Sequence, residues 1–372
     1  MSRKKKLALL LGLVLVVVDV IFCSVIGKAY HSVLLPILFT VLILGVPAFI
    51  VFGIKLFNKV IRKTSWYQSM FVDPNHEIFP DNTWYRKHDE RNYDIVNLGS
   101  SGGKWAFDYS DTGVKGMNWA IQPQTLYEDY ELLRHYHSIL RKGGYVIITI
   151  MPFTGLNKKT GLMDAMKYVY FDIQGEPIQP YMFEMAQFYA HHPILFKKPA
   201  IKAFIKYLLG RDKPIVKSPT TQLDHNPMDE ELLKADAAMW VNGWKHQFAI
   251  SDFDAPLTEE NRKGREYRIN LMRELIDFCT ARGYHPVYVI PPVTQYLDSY
   301  FTPKFKETYY YSYLKAVDRP VPLLDYSANK DLMSSTLYFN SFFLNHRGRH
   351  LFTKQVLKDL GIESNKTYSL NC

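Results

Sequence analysis

The chain is poor in cysteine, and no spacing of cysteine and histidine in it suits a metal ion. Its 372 residues include three cysteines, Cys23, Cys279 and Cys372, and the first of these lies in an apolar run. No disulfide framework is therefore predicted. Internal repeats and low-complexity tracts are also missing. The length fits one large folded domain beside an anchor, and neither a metal nor another cofactor is predicted.

The patterns of the common nucleic-acid-binding domains are missing too, although the chain is basic. Its formal net charge is +9, yet it has no zinc-finger spacing, RNA-binding sheet motif or basic zipper. Much of the excess positive charge flanks apolar runs, so we predict a lipid bilayer and not nucleic acid as the anionic partner. The 26 tyrosines and 23 phenylalanines indicate a large core, with a carbohydrate-facing cleft as the alternative.

Two long apolar runs predict a transmembrane hairpin in residues 1–63, with spans at about 7–26 and 33–57. Each run is close to the roughly 20 apolar residues that cross a bilayer as a helix. The first run lacks the small-residue exit of a cleaved signal peptide. Asp19 interrupts this run, and we expect it to be shielded within the hairpin or to face a partner helix.

The distribution of basic residues predicts the orientation of the hairpin in its membrane. Basic residues precede the first span and follow the second, and only Lys28 lies between them. Because cytoplasmic flanks are enriched in lysine and arginine, this bias predicts a cytoplasmic soluble domain. The flanking residues are Arg3, Lys4, Lys5, Lys6, Lys55, Lys59, Arg62 and Lys63.

After a connector at 64–91, residues 92–372 alternate between predicted strands and helices. The fold class predicted is α/β: a doubly wound parallel sheet with a helical insertion at 155–257, preceded by the transmembrane hairpin. Strands are predicted at 92–98, 116–121, 145–151, 287–290 and 321–326, and helices at 125–140, 259–282 and 347–360. Gly143 and Gly144 are expected to end the first of these helices.

Two features of the insertion allow alternative interpretations. A basic segment with apolar Ile201, Phe204, Ile205 and Leu208 is either a packed helix with solvated lysines or a helix on lipid headgroups. Its basic residues are Lys197, Lys198, Lys202, Lys206, Arg211 and Lys213. Trp240 and Trp244 share one helical face, which favours core packing or a sugar platform.

A glycine- and serine-rich turn follows the first predicted strand, at 97–103. Ligands of a doubly wound sheet bind beyond the carboxyl ends of its strands, where Ser100 and Ser101 are expected. A serine becomes a nucleophile when a base removes its proton, and a turn into a helix can direct N–H groups at an oxyanion. A flexible loop or helix cap is the alternative. A nucleotide- or S-adenosylmethionine-binding loop is another, although residues 117–124 lack the acidic residue it needs.

This layout resembles the SGNH (GDSL-like) hydrolase and acyltransferase superfamily, and more closely its membrane-anchored bacterial members linked to envelope polysaccharide and teichoic-acid acylation. The resemblance covers about 92–153 and 284–361 and depends on segments 97–101, 118–130 and 345–353. It implies an SGNH/flavodoxin-like fold with Ser101 at the nucleophile position. The candidate oxyanion or ligand-binding residues are Gly99, Ser100, Gly102, Asn118, Gln122, Pro292 and Asn345.

The partner positions of that serine are substituted. In such relatives the last segment reads Asp, two residues, His, Leu, Asn, two residues, Gly, and this pattern falls on Asn340, Phe343, Leu344, Asn345 and Gly348. A phenyl ring cannot accept a proton, and a carboxamide cannot carry the negative charge that stabilises an imidazolium. Loss of one triad member costs on the order of four to six powers of ten in rate.

Two histidines and one proline complete the set of candidate residues. His346 and His350 are the nearest candidates for a relocated base, and surface histidines on a helix are the alternative. Pro123 lies where the relatives commonly supply a glycine N–H to the oxyanion hole, and proline has no N–H to give.

The sequence therefore predicts a membrane-anchored, SGNH-like protein of bacterial envelope glycan biosynthesis with a degenerate, serine-only site. It would bind an acylated glycan or lipid-linked saccharide, or support a membrane-bound O-acyltransferase. The alternatives are an active serine O-acyltransferase or esterase with a relocated histidine base, and a nucleotide-type binding domain. Relatives that modify envelope polymers work outside the membrane, so the resemblance implies an extracytoplasmic domain, against the charge bias.

Overall fold

The computed structural model of the protein describes residues 3–30, 34–72, 92–156, 161–171, 173, 180–213 and 228–362. Residues 73–91 of the predicted connector, parts of the predicted insertion including 214–227, and residues 363–372 with Cys372 lie outside the described residues. The chain divides into two compact units, Met1–Tyr67 with His191–Asp212, and Gln68–Ala190 with Lys213–Cys372.

The longer helices are α1 (Arg3–Tyr30), α2 (Leu34–Ile61, with a π-helical turn at Val41–Gly45), α3 (Ser101–Ala106), α4 (Leu126–Tyr136), α5 (Pro180–His191), α6 (Lys198–Leu208), α7 (Glu230–Gln247), α8 (Glu259–Ala281), α9 (Ser312–Val317) and α10 (His346–Asp359). Shorter helical turns lie at Ser65–Tyr67, Gln68–Val72, His137–Ile139, Leu162–Met166, Val169–Phe171, Pro193–Phe196, Gln295–Asp298, Pro303–Lys306, Glu307–Tyr311, Lys330–Leu332 and Ser335–Leu337.

In the first unit, α1 and α2 are long and apolar enough to cross a membrane, which agrees with the two predicted spans. Asp19 of α1 is buried in this unit, and the Thr40 hydroxyl of α2 donates a hydrogen bond to its carboxylate at 3.1 Å. The Cys23 sulfur lies 3.7 Å from the same carboxylate. Asp19 is therefore shielded within the hairpin, one of the two predicted arrangements, and a polar contact offsets part of its cost in lipid.

The other segment of this unit packs on the C-terminal half of α2. Asn58 is buried, and its side-chain oxygen accepts a hydrogen bond from the Ile194 N–H at 3.0 Å. Arg62 donates to the His191 carbonyl at 2.7 Å. The rings of Phe57 and Phe204 lie 4.6 Å apart, so α6 rests against α2.

The described part of the second unit contains a sheet of five parallel strands, as predicted for an α/β domain. The strands are β1 (Tyr93–Leu98), β2 (Gly116–Asn118), β3 (Leu140–Thr149), β4 (His285–Ile290) and β5 (Leu323–Asp325), in the order β2-β1-β3-β4-β5. The register pairs Asn97 of β1 with Asn118 of β2 and with Ile147 of β3.

Helices cover both faces of this sheet because its central strands are apolar on both sides. Val146 and Ile148 of β3 belong to a core that includes Leu133 of α4 and Leu275 of α8. Ile147, between them, belongs to the opposite core with residues of α10. An uninterrupted β-branched strand is the expected sequence for a position that is buried on both faces.

The structure corrects the boundary between α4 and β3. The predicted helix at 125–140 ends at Tyr136, and β3 begins at Leu140, before the predicted 145. Gly143 and Gly144 do not end the helix. They lie within β3, where Tyr93 pairs with Leu140 but Ile95 pairs with Tyr145, so four residues of β3 lie opposite a single residue of β1. Gly143 has a φ of +75°, which glycine adopts without strain.

Candidate functional site

A cleft of about 350 Å³ opens at the carboxyl ends of β1 and β3. Gly99, Ser100 and Ser101 follow β1, and Thr149 and Met151 lie at the end of β3; all five line the cleft. From β1 the chain continues to one edge of the sheet, and from β3 towards the other. The cleft therefore lies at the point where the strand order reverses, the usual ligand site of such sheets.

The turn after β1 presents two serines to this cleft. Gly99 has a φ of +129°, and its N–H donates to the Asp129 carboxylate at 2.7 Å. The Ser100 hydroxyl accepts a hydrogen bond from the Gln124 N–H at 3.1 Å. Ser101 begins α3, and in the described part of the chain no residue forms a hydrogen bond with its hydroxyl. The predicted position of Ser101, beyond the end of a central strand, is where the structure has it.

Asn340 and Phe343, at the predicted acid and base positions, both have structural contacts. The Asn340 side-chain oxygen accepts hydrogen bonds from the N–H groups of Phe342 at 2.9 Å and Phe343 at 2.7 Å, and so closes a tight turn. The Phe343 ring lies 4.5 Å from the Phe342 ring and 5.3 Å from that of Trp240. This loop is thus held by a carboxamide and packed rings.

His346 contacts a carboxylate, but outside the cleft lining. Its Nδ1 lies 3.4 Å from the Asp108 carboxylate, and the Asp108 N–H donates to the Thr353 hydroxyl at 2.9 Å. Burial raises the pKa of Asp108, but hydrogen bonds from His346 and Ser110 and the charge of Arg349 outweigh it and lower the pKa to about 2.

His350 is half-buried, and burial and the nearby Lys354 lower its pKa. Neither His346 nor His350 is among the described residues that line the cleft, and that lining includes no other histidine.

Asn118 and Asn345 are structural braces outside the cleft lining. The Asn118 amide donates to the carbonyls of Gly103 at 3.3 Å and Phe107 at 3.1 Å, and its oxygen accepts from Asn97 at 2.9 Å. Asn345 caps α10, since its oxygen accepts from the Gly348 N–H at 2.9 Å. Their hydrogen-bonding capacity serves the fold.

Gln122, Gly102 and Pro292 have different surroundings. Gln122 lines the cleft, and its side-chain oxygen accepts from the Trp105 indole at 3.2 Å. Gly102 and Pro292 line a separate small cavity of about 10 Å³ with Phe343. A Cβ on Gly102 would lie 2.0 Å from the Met151 sulfur, so the backbone of α3 approaches the end of β3 closely.

Asp129 and Arg268 are the ionisable residues among the described lining, and the sequence did not identify either as part of the site. Burial raises the pKa of Asp129; hydrogen bonds from Gln124 and Gly99 and the charge of Arg268 oppose it, and the pKa stands at about 7. Gln124 reaches Asp129 through a short contact from its side-chain amide. A buried carboxyl that titrates near neutrality in a cleft is typical of functional sites.

One signal in the sequence could have identified both residues. Asp129 lies three residues after Leu126 and four before Leu133, and all three are buried on α4. Arg268 likewise lies within the buried series of α8, between Gly264 and Leu271. A charge within the apolar face of each of two helices is uncommon, because an unpaired buried charge is costly.

Aromatic rings form one wall of the cleft. The rings of Trp240 and Trp244 lie 5.7 Å apart, and Trp244 lies 5.1 Å from Phe342. Phe153 and Phe248 extend the wall with a ring separation of 4.7 Å. The predicted shared face of Trp240 and Trp244 is thus present, and both rings are at once packed and part of the cleft.

Two polar atoms of this lining are buried without a hydrogen-bond partner in the described part of the chain. They are the Thr149 hydroxyl and the Trp240 indole nitrogen. Buried polar groups are ordinarily paired, so these two atoms are exceptions to that rule. A search of the described residues finds no group of three or more histidines, cysteines or acids placed to hold a metal ion.

Comparison with known proteins adds no relative, since no family model and no curated protein matches the chain.

Proposed function

We propose that this chain is a membrane-anchored, SGNH-like protein of bacterial envelope glycan biosynthesis, whose cleft binds an acylated or glycan ligand without serine–histidine turnover. The contacts of Phe343 and Asn340 carry the proposal. A packed phenyl ring and a carboxamide bonded to two backbone N–H groups occupy the positions that the resemblance assigns to the partners of Ser101. A serine hydroxyl without a base is a poor nucleophile, but it remains a good hydrogen-bonding group.

The arrangement of the sheet supports the family assignment. The strand order 2-1-3-4-5 is that of flavodoxin-like sheets, in which ligands bind at the β1/β3 switch point. The SGNH superfamily has a fold of this kind, with its serine after the first strand. Ser101 follows β1 here, and this position supports the proposal.

The lining of the cleft supports the choice of ligand. Most small-molecule sites are apolar, with a few polar groups that fix orientation. Here the Trp240 and Trp244 rings offer a stacking surface, while Ser101 and Gln247 offer polar groups. A molecule that combines an acyl chain with sugar hydroxyls matches both kinds of surface. A lipid-linked saccharide and an acylated glycan are such molecules, and a membrane-bound O-acyltransferase would be the fitting partner.

Titration of the full-length protein in nanodiscs with octyl glucoside, kept below its micellar concentration, tests the proposal. We expect saturable binding by calorimetry, weakened at least tenfold by Gln247→Phe, because Gln247 lines the cleft and a ring there fills it. His246→Phe is the matched control, since the exposed His246 precedes Gln247 on α7 and does not line the cleft. Binding that is absent, or that both variants weaken equally, would exclude a binding cleft.

A second candidate function is an esterase or O-acyltransferase in which Asp129 is the base. The pKa of about 7 favours it, because a carboxyl that titrates there can accept a proton near neutral pH. This candidate predicts hydrolysis of p-nitrophenyl acetate that Ser101→Ala and Asp129→Asn both abolish. Its rate should rise through pH 7 as Asp129 ionises. A rate equal to the background in the unchanged protein would eliminate it.

The side of the membrane determines which ligand is available. A cytoplasmic cleft would meet lipid-linked precursors, and an extracytoplasmic one the finished polymer. Reporter enzymes that are active on one side only, fused after residue 372, distinguish the two.

A further inference from the structure

A second cavity, of about 470 Å³, lies within the first compact unit, along the C-terminal part of α2. Five of its eight lining residues carry cationic side chains or imidazoles, although most of the lining surface is apolar. The lining residues are Val51, Ile54, Lys55, Asn58, Lys59, Arg62, His191 and His192. None of these described residues is acidic, so the cavity is suited to an anion.

The electrostatics of the unit agree with a concentration of positive charge. Burial lowers the pKa of His191, and the charges of Arg62 and His192 lower it further. Arg62 is held in place by its hydrogen bond to the His191 carbonyl. Lys55 and Lys59 are one helical turn apart on α2, so their ammonium groups extend from the same face.

The cavity lies at the end of a candidate membrane helix, where lipid phosphates are found. From Leu34 to Ile54 the residues of α2 carry no charge, and Lys55 is the first that does. Val51 and Ile54 line the cavity from the apolar side of this border, and Lys59 from the basic side. A lipid matches this order, because its acyl chain would contact the apolar residues and its phosphate headgroup the basic ones.

Helix α6, in the same unit, has the composition of a helix in the membrane interface. Its buried face includes Ala200 and Ala203. Ile201, Ile205 and Leu208 are 48%, 49% and 63% exposed, and Lys202 and Lys206 border them. Such an apolar face would be unfavourable in water, but it is stable when it is immersed among acyl chains with its lysines at the headgroups.

From these observations we propose that the cavity binds the phosphate headgroup of an anionic membrane lipid. Lys55, Lys59 and Arg62 contact the phosphate, and Val51 and Ile54 contact the acyl chain. The apolar end of the cavity favours a lipid over free phosphate. This site is independent of the Ser101 cleft, so either proposal can fail without the other.

Native mass spectrometry of the full-length protein in a mild detergent, titrated with phosphatidylglycerol or phosphatidylcholine, tests the site. We expect one phosphatidylglycerol to bind at least tenfold more tightly than phosphatidylcholine. The double variant Lys55→Gln with Lys59→Gln should weaken binding about tenfold or more, because each lysine near a headgroup is worth about fivefold. Lys55→Arg with Lys59→Arg retains the charge and should retain binding.

The matched control is Lys354→Gln with Lys358→Gln, which removes the same charge from two exposed lysines one helical turn apart on α10, in the second unit and outside the cavity lining. It should change the affinity less than twofold. Equal weakening by the two glutamine pairs would show diffuse attraction and overturn the proposal, as would equal affinity for the two lipids. Displacement of phosphatidylglycerol by inorganic phosphate at an equal concentration would assign the site to free phosphate. A helical circular-dichroism spectrum and an unchanged melting temperature show that each variant is folded.

Discussion

Replacement of Asp129 by asparagine should stabilise the protein at alkaline pH. Asp129 is buried, and burial is the main cause that raises its pKa to about 7 from the usual 3.8. Asparagine has nearly the same shape, and its oxygen can still accept the hydrogen bonds from Gly99 and Gln124. The substitution therefore removes the ionisation and leaves the packing in place.

The magnitude follows from the difference between the two pKa values. The folded protein prefers the protonated carboxyl, so the contribution of Asp129 to stability is complete below pH 3.8 and is lost as the pH rises through 7. One pKa unit corresponds to about 1.4 kcal/mol, so the full loss is about 4 kcal/mol. Between pH 5 and pH 8 the loss is about 2.5 kcal/mol, which corresponds to roughly 5–10 °C in melting temperature.

Thermal and urea unfolding of the full chain in detergent, followed by tryptophan fluorescence from pH 5 to 8.5, measures this effect. The stability of Asp129→Asn minus that of the unchanged protein should increase steadily with pH, and other titrating groups cancel in the difference. Asp277→Asn is the control: a hydrogen bond from Arg319 lowers the pKa of this exposed carboxyl, so it is ionised in both the folded and the unfolded state across this range, and its difference should not change with pH. A difference for Asp129→Asn that stays flat across this range would refute the reasoning.

Three further substitutions test the structure around the site. Asp108→Asn should lower the free energy of unfolding by about 2 kcal/mol at pH 7, because the folded pKa of Asp108 is lowered. In urea unfolding, the difference between the variant and the unchanged protein should disappear as the pH falls from 3.8 towards 2. Gly348→Ala should cost about 3 kcal/mol in the same assay, since its Cβ would lie 2.1 Å from the Leu337 carbonyl oxygen; a cost below 1 kcal/mol would contradict that packing. Asn118→Ala should lower the free energy of unfolding by about 2–4 kcal/mol, because the carbonyls of Gly103 and Phe107 lose their donor. The amide hydrogens of α3 should also exchange faster in this variant.

The sheet could be predicted because its information is local. The β-branched run around Ile147 and the turn at Gly99 each specify their conformation within a few residues. Gly143 was misplaced because two adjacent glycines suit a helix end and a strand bulge equally well, and only pairing with β1 distinguishes them.

The site was only partly predictable, because its other members meet through tertiary packing. The position of Ser101 follows from the strand before it, whereas the approach of Asp129 and Arg268 depends on how α4 and α8 pack. His346 was proposed as a base from its place in the sequence alone. The structure pairs it with Asp108, which follows α3 and is far from it along the chain.

The central claim is that Ser101 has no histidine base, and its reactivity tests this most directly. The full-length protein is incubated with a fluorophosphonate probe at pH 7.5, and tryptic peptides are mapped by mass spectrometry beside Ser101→Ala. We predict no adduct on the peptide of Ser101 above the level found with the alanine variant. A stoichiometric adduct on Ser101 would contradict the account, and its loss in His346→Ala or His350→Ala would identify a histidine base.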